Sequence, residues 1–292
     1  MTRRLSTAGF IFLMVLAMLT WGGSWPSGKL ITGLARVEVI IFWRYFITSL
    51  SIIPLLFIFK QPLRIEKRSL FLLILGAVVM ITHNQFFMTG LKLGLAGAGG
   101  VLTTSLSPII TFSLASVIYR ESVGPWQKTG LLLGVIGGAV LLNICKLDLR
   151  ELLAGGNVFF LLAALCWSIL TLISQKIQQR VPFITYSFYL YTFSALLALF
   201  LALPHGLLSI TGQPWIFWGI IFYLSIFATT FGATVYFMAA AKIGSGRASS
   251  FIFLVPASAM LFSWLLLGEV PQLSTIIGGL IAVFAVYLLN RK

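Results

Sequence analysis

Acidic side chains are scarce in this sequence: six Asp and Glu stand against twenty Lys and Arg. All six (Glu38, Glu66, Glu121, Asp148, Glu151 and Glu269) fall at the ends of apolar runs or between them. A carboxylate proton relay at membrane depth is therefore not expected. Nor is there a pair of carboxylates placed for acid/base chemistry inside a bilayer. Charged residues of either sign make up only 9% of the chain, too few to cover a soluble surface. The two cysteines, Cys145 and Cys166, form no CxxC, no disulfide framework and no metal-ligand cluster, and both read as reduced packing residues. A P-loop, a Gly-rich phosphate cradle and a GxSxG elbow are all missing, which argues against ATP-driven pumping by this chain alone. No metal and no cofactor is expected.

Apolar residues, in contrast, make up 59% of the chain. They come in runs long enough to cross a bilayer, for which about 20 residues suffice. Ten such segments can be counted: 8–31, 37–59, 69–91, 96–119, 127–144, 155–175, 185–203, 215–240, 248–267 and 273–289. The sequence thus predicts an all-α integral membrane protein. The first segment has the basic start and apolar core of a signal peptide but no A-x-A cleavage pattern, so it reads as an uncleaved first helix.

The formal charge of +14 raises the question of a nucleic-acid partner, but the basic residues sit in short loops rather than in one patch. They read instead as a topology signal. With the N-terminus inside, fourteen Lys and Arg fall on the inner side and five on the outer, Lys29, Arg36, Lys92, Lys146 and Arg150; Arg44 lies within a span. Both termini are expected to be cytoplasmic.

The chain is one unit written twice. Residues 99–121 and 247–269 each hold a proline near the middle and a glutamate at the end, with thirteen residues from Pro108 to Glu121 and from Pro256 to Glu269. Gly130 follows Glu121 by nine positions, as Gly278 follows Glu269, and each opens a Gly-rich run ending in Asn143 or Asn290. Phe87-Met88 is echoed by Phe237-Met238. The charged stretch 146–154 reads as a linker between a first five-helix repeat, 1–145, and a second, 155–292. An odd number of spans per repeat makes the second copy enter from the opposite side. Two inverted repeats around a central cavity can exchange conformations and so give alternating access.

The Pro-x12-Glu spacing, the glycine nine residues on, and Trp21-Gly-Gly-Ser-Trp25 in the first span resemble the ten-span EamA branch of the drug/metabolite transporter superfamily. The resemblance covers nearly the whole chain. It implies a basket of helices around a cavity open to one side at a time, built mainly from spans one, three and four of each half. It also implies small-metabolite transport, commonly export of amino acids or related compounds, and a place in the bacterial inner membrane.

Polar and aromatic residues at membrane depth are the candidates for the cavity. In the first span Pro26 cannot donate to the carbonyl of Gly22, so a kink is expected there. Trp21 and Trp25, four apart, share a face and can stack on a planar or apolar substrate, with Ser24 beside them; helix packing or an interfacial belt is the other reading. Trp167, Ser168 and Thr171 are their counterparts in the second half. The third span holds Thr82, His83, Asn84 and Gln85, costly in hydrocarbon unless partnered. Because successive residues turn by about 100°, His83 and Asn84, with Phe87, are assigned to the cavity and Gln85 to bonding between helices. A buried, satisfied histidine is the alternative. The fourth span carries Gly100, Thr104, Ser107 and Thr111 on one small face around Pro108, suited to close packing, to a cavity lining, or to both. Ser249 and Pro256 mirror it, and Thr230, Thr234 and Tyr236 of the eighth span complete the set. Pro26, Pro108 and Pro256 are the candidate hinges. Arg44 is expected to snorkel toward the outer interface, with reception of a substrate carboxylate as a second reading. Its six-residue spacing from Glu38 puts the two on different faces.

These residues describe a mostly neutral cavity that holds a small, moderately apolar molecule by stacking and a few hydrogen bonds. The leading function is a secondary exporter of amino acids or related metabolites, uncoupled or proton-coupled through His83, the one mid-membrane group that ordinarily titrates near neutrality. The expected partners are the substrate, the lipid bilayer and, if coupled, protons, and a monomer suffices. A drug or cation exporter of the same fold is the alternative. An intramembrane enzyme and a non-transporting assembly subunit are further ones, since fold alone does not set function.

Overall fold

The computed structural model describes residues 7–94, 96–119, 124–141, 156–267 and 273–290. The linker 146–154, Cys145, Asn143, Glu121 and Glu269 lie outside the described residues. Among the described residues every regular element is helical. The helices are α1 (Thr7–Thr32), α2 (Val37–Ile58), α3 (Lys67–Leu93), α4 (Ala96–Ile118), α5 (Pro125–Leu141), α6 (Asn157–Ile177) and α7 (Phe183–Ala202). Next comes α8 (Trp215–Phe222), which runs through a π-helical segment (Tyr223–Ala233) into α9 (Thr234–Ile243). A short α10 (Ser245–Ser250), a 3-10 turn (Phe251–Phe253) and α11 (Leu254–Leu267) follow, and α12 (Leu273–Asn290) ends the described chain.

Among the described residues six stretches are long and apolar enough to cross a membrane: Ala8–Thr32, Val37–Ile58, Lys67–Leu93, Asn157–Ile177, Phe183–His205 and Trp215–Ile243. Leu102–Ile118 and Ile276–Asn290 are shorter apolar helices. Their outer faces remain apolar: Phe57, Phe71, Val117, Phe200 and Leu280 are all well exposed. Side chains of this kind on every flank suit lipid and not water. The molecule is a multi-pass membrane protein.

The most extensive packing joins the first half of the chain to the second. α5 packs on α12, α2 on α7, α3 on α6 and α4 on α6, while α1 packs on α11 and on the π-helical segment. The halves therefore interlock. Close approach requires small residues: a Cβ on Gly22 of α1 would lie 2.7 Å from the backbone nitrogen of Ala259, and one on Gly99 of α4 would lie 2.1 Å from the Phe160 ring.

Loop contacts sort the helix ends into two groups. At one end the α2–α3 loop meets the start of α7, where Thr185 Oγ1 donates to Pro62 O (2.9 Å) and Tyr189 donates to Leu63 O (2.6 Å). Glu66 pairs there with Arg180 at 3.8 Å. At the other end Gln213 Nε2 donates to Leu34 O (2.8 Å) and Trp43 Nε1 to Leu207 O (2.9 Å). His205 Nε2 lies 4.0 Å from Glu38 Oε2 at that end.

The prolines differ in effect. α1 and α4 run unbroken through Pro26 and Pro108. At Pro256 the helix is interrupted: the 3-10 turn Phe251–Phe253 lies just before it, and Pro256 has no N–H to offer the carbonyl of Ile252.

Candidate substrate cavity

A cavity of about 90 Å³ sits where the two halves meet, room for a handful of waters. α1 contributes Trp21, Ser24 and Trp25; α3 contributes Met80, His83, Asn84 and Phe87; α4 contributes Thr103, Thr104 and Ser107. The second half supplies Trp167 of α6, then Ala228, Thr229 and Ala233 of the π-helical segment, and Ile252 and Val255. Arg44 and Tyr45 bring in α2 as well. The resemblance does not include this helix among the main cavity-forming spans.

The aromatic wall is held by mutual edge contacts. Trp21 and Trp167, equivalent positions in the two halves, meet at 5.0 Å between ring centroids and 85°. Trp25 meets Phe87 at 4.8 Å and 77°, and His83 lies 5.0 Å from Trp167. Such T-shaped pairs are favourable beyond the area they bury. The Trp21 indole is also fixed by donation from Nε1 to Ala228 O (2.8 Å), so the ring is held against the π-helical segment. There the threonine hydroxyls of 229 and 230 reach carbonyls five residues back, Leu224 and Ser225. An i to i+5 ladder is rare and recurs at functional sites.

The polar wall centres on Arg44, and here the expectation of snorkelling is overturned. Nη1 donates to Asn84 Oδ1 (3.0 Å) and Nη2 to Thr229 Oγ1 (2.9 Å), so the guanidinium points inward between α3 and the π-helical segment. Hydrogen-bond acceptors on both neighbours hold it there in place of the headgroup region. Asn84 also donates through Nδ2 to Met80 O (2.8 Å) and to the Tyr45 hydroxyl (2.6 Å), which exhausts its amide. His83 Nδ1 lies 2.9 Å from Ala163 O. A carbonyl can only accept, so Nδ1 carries a proton, and in the neutral form of the ring the lone pair is on Nε2.

Of the residues singled out from sequence, Trp21, Ser24, Trp25, His83, Asn84, Phe87, Thr104, Ser107 and Trp167 come together at this cavity. Six others are placed elsewhere. Ser168 bonds Ser107 O (3.1 Å) and Ala164 O, joining α6 to α4. Thr171 bonds Trp167 O and the Tyr236 hydroxyl (3.1 Å), and Thr234 bonds the Tyr191 hydroxyl (2.9 Å). Thr230 pairs with Ser51, and Ser249 donates to Gly246 O (2.8 Å). Tyr236 is fully buried behind Trp21 and Trp167, 5.2 and 5.4 Å from their rings. Each of these groups satisfies its polar atom between or within helices, and none of them lines the cavity. Gln85, assigned from sequence to inter-helix bonding, makes no hydrogen bond among the described residues; His83 and Asn84 make them instead. Sequence reasoning left out Tyr45, Thr103 and Thr229 and misplaced Arg44. The one signal available was a lone arginine within an apolar run.

Helices apolar on their outer flanks, closed around a small cavity of aromatic and polar side chains, define a helical membrane protein with an internal cavity. The family model of the EamA-like transporter family matches residues 9–143 and again 154–291. The chain belongs to this family, within the drug/metabolite transporter superfamily, and is a membrane transporter. It is similar over 288 residues to the uncharacterized transporter YyaM of Bacillus subtilis, at 23% identity, covering 95% of this chain and 92% of that one. An uncharacterized transporter of Archaeoglobus fulgidus is 24% identical over 287 residues, 96% of each chain. A chloroplastic WAT1-related protein of Arabidopsis thaliana is 28% identical over 270 residues, 84% of this chain and 62% of that one. One crystal structure superimposes over 98% of this chain and 97% of its own with a TM-score of 0.73 at 16% identity, which shows a shared fold.

Proposed function

We propose that the protein is a ten-span secondary transporter that exports small metabolites, amino acids or related compounds, by alternating access. The reading places two inverted five-helix repeats, 1–145 and 155–292, around the cavity. It also places the chain in a bacterial inner membrane with both termini cytoplasmic, active as a monomer. The observation that carries it is the position of the cavity: it is walled by equivalent helices of both halves, with Trp21 against Trp167. A site shared by two rocking halves opens to one side as it closes to the other.

Two further observations support the threading. The end formed by the α2–α3 loop and the start of α7 carries Lys60, Arg64, Lys67, Arg68 and Arg180, the excess expected of a cytoplasmic face. With α2 ending and α7 starting at this face, α1 and α6 run in opposite directions. The double family match has the same division. If export is proton-coupled, His83 Nε2 is the group that takes the proton, its Nδ1 being tied to Ala163.

The test is flux of a panel of labelled amino acids and organic cations through proteoliposomes, with and without an imposed pH gradient. Saturable flux that survives collapse of the gradient means facilitated export. Accumulation only with the gradient means proton coupling, and His83→Gln then removes accumulation but keeps exchange. Flux no greater than in empty liposomes for every compound would refute the reading.

A further inference from the structure

Among the described residues no carboxylate pairs with Arg44, whose guanidinium lies 5.8 Å from the centroid of the Tyr45 ring. A guanidinium keeps its proton at physiological pH. Among the described residues the carboxylates within 4.0 Å of a basic side chain are Glu66, beside Arg180, and Glu38, beside His205, both near helix ends. The two groups that hold Arg44, an amide oxygen and a hydroxyl, are neutral. Its Nε is buried and has no hydrogen-bond partner at all. An unanswered cation within a bilayer is costly and marks a substrate or ion pathway by default.

The hydrogen-bond directions around it narrow the choice. Ser24 donates to Trp21 O (2.6 Å), Thr104 to Gly100 O (2.6 Å), Ser107 to Thr103 O (2.7 Å) and Thr103 to Phe160 O (3.3 Å). Each hydroxyl proton is thus spent on a backbone carbonyl, so these groups cannot donate to a ligand. Asn84 has committed its amide hydrogens to Met80 O and Tyr45. The donors left at the cavity are the Arg44 N–H groups, the Tyr45 hydroxyl, which accepts from Asn84 and keeps its own hydrogen, and the Trp25 indole N–H. Arg44 and Tyr45 are adjacent on α2, and Arg44 brings the positive charge. Apart from Thr229, which holds Arg44, and Trp167, the second-half lining is aliphatic: Ala228, Ala233, Ile252 and Val255.

We infer that the substrate bears a carboxylate, received by Arg44 and Tyr45, on a small apolar or aromatic body packed against the tryptophans and the second-half wall. The inference rests on the transport reading and names the substrate class of the same site. A guanidinium matches a carboxylate in charge and geometry, offering two parallel N–H groups. An amino group on the substrate adds through the hydroxyl lone pairs of Ser24 and Ser107, whereas a carboxylate is obligatory. An organic cation brings a second positive charge to a site with no anion to meet it and is rejected.

The test uses the purified full chain and three probes of one shape: L-phenylalanine, 3-phenylpropionate and phenethylamine. Binding is read from quenching of tryptophan fluorescence, since three tryptophans line the site, and counterflow is read in proteoliposomes. The two carboxylates are expected to bind and exchange saturably while the amine does neither. Arg44→Gln should weaken carboxylate binding about ten- to hundred-fold, the loss expected for hydrogen bonds to a charged group, and Arg44→Lys should recover part of it. Tyr45→Phe, which keeps the ring, gives a second and smaller loss should the arginine variants fail to accumulate. Binding of the amine as tight as that of the acids, absence of binding by both acids, or acid affinity unchanged in Arg44→Gln or Tyr45→Phe would overturn the inference. Exchange of the amine without the acids would overturn it while leaving transport standing; no exchange by any compound of the wider panel above would overturn transport itself.

Discussion

At the scale of single residues, the cavity depends on groups whose polar atoms are already committed. Asn84 shows this most clearly: one side chain holds Arg44, Tyr45 and the carbonyl of Met80. Replacing it by Ala leaves a buried guanidinium with one anchor fewer, a costly change inside a low-dielectric site. Asn84→Ala is expected to cut flux at least about ten-fold with the protein still abundant in the membrane. Full activity at normal abundance would count against the site. Asn84→Asp makes a more pointed test. The new carboxylate occupies the arginine and mimics the substrate's charge, so carboxylate binding should fall more than with Ala while thermal stability holds or rises. Trp21→Ala removes the ring that bridges the two halves, and lost counterflow with intact folding is the expected outcome. How much of this was legible varied by residue. Polar and aromatic types at membrane depth pointed to Trp21, His83, Asn84 and Ser107. Hydroxyls at 168, 171 and 230 looked the same in sequence, because a serine or threonine in a helix gains a partner from its neighbours whichever way it faces.

At the scale of elements, two features position the site: close helix contacts and the π-helical segment. α1 reaches α11 at Gly22, where Ser258 also donates to Met18 O (3.0 Å). A side chain there meets the backbone of Ala259, which cannot rotate away as a side-chain tip can. Gly22→Leu is accordingly expected to destabilise the fold by about 1–3 kcal/mol or more, the range for overpacked sites. A lower thermal midpoint in detergent is the readout, and an unchanged midpoint would mean that the two helices are not held so close in the membrane. The π-helical segment presents Thr229 to Arg44 and Ala228 O to Trp21. Nothing in residues 223–233 announces this geometry. The apolar run predicted a helix, and the helix exists, but an i to i+5 register differs from the ordinary one by the choice of carbonyl and not by composition. The break before Pro256 was legible in kind, since proline removes a donor.

At the scale of the whole molecule, the halves are interlocked and cannot be treated as two neighbouring domains. α3 and α4 both lie on α6, and α1 lies on both α11 and the π-helical segment. Under the proposed alternating access, one half's helices would slide along the other's, which favours small-residue contacts over long interdigitated side chains. The proposed threading predicts a labelling pattern. Single cysteines at Gln61 and Gln179 should react with a membrane-impermeant maleimide only from the cytoplasmic side, and those at Leu34 and Gly212 only from the opposite side. Labelling of Gln61 and Leu34 positions from the same side would contradict it.

The sequence by itself determined that this chain lives in lipid, that it is helical, and that it carries one motif twice. These are properties of composition and spacing, and the bilayer reads them directly: apolar runs of sufficient length partition into it, and basic flanks stay out. Only the tertiary structure decided which polar groups share a cavity. Arg44, Asn84 and Thr229 lie 40 and 145 residues apart along the chain and meet because α2, α3 and the π-helical segment cross at one depth. Whether an arginine in an apolar helix snorkels or turns inward is settled by the acceptors its neighbours offer, and a sequence does not list its neighbours.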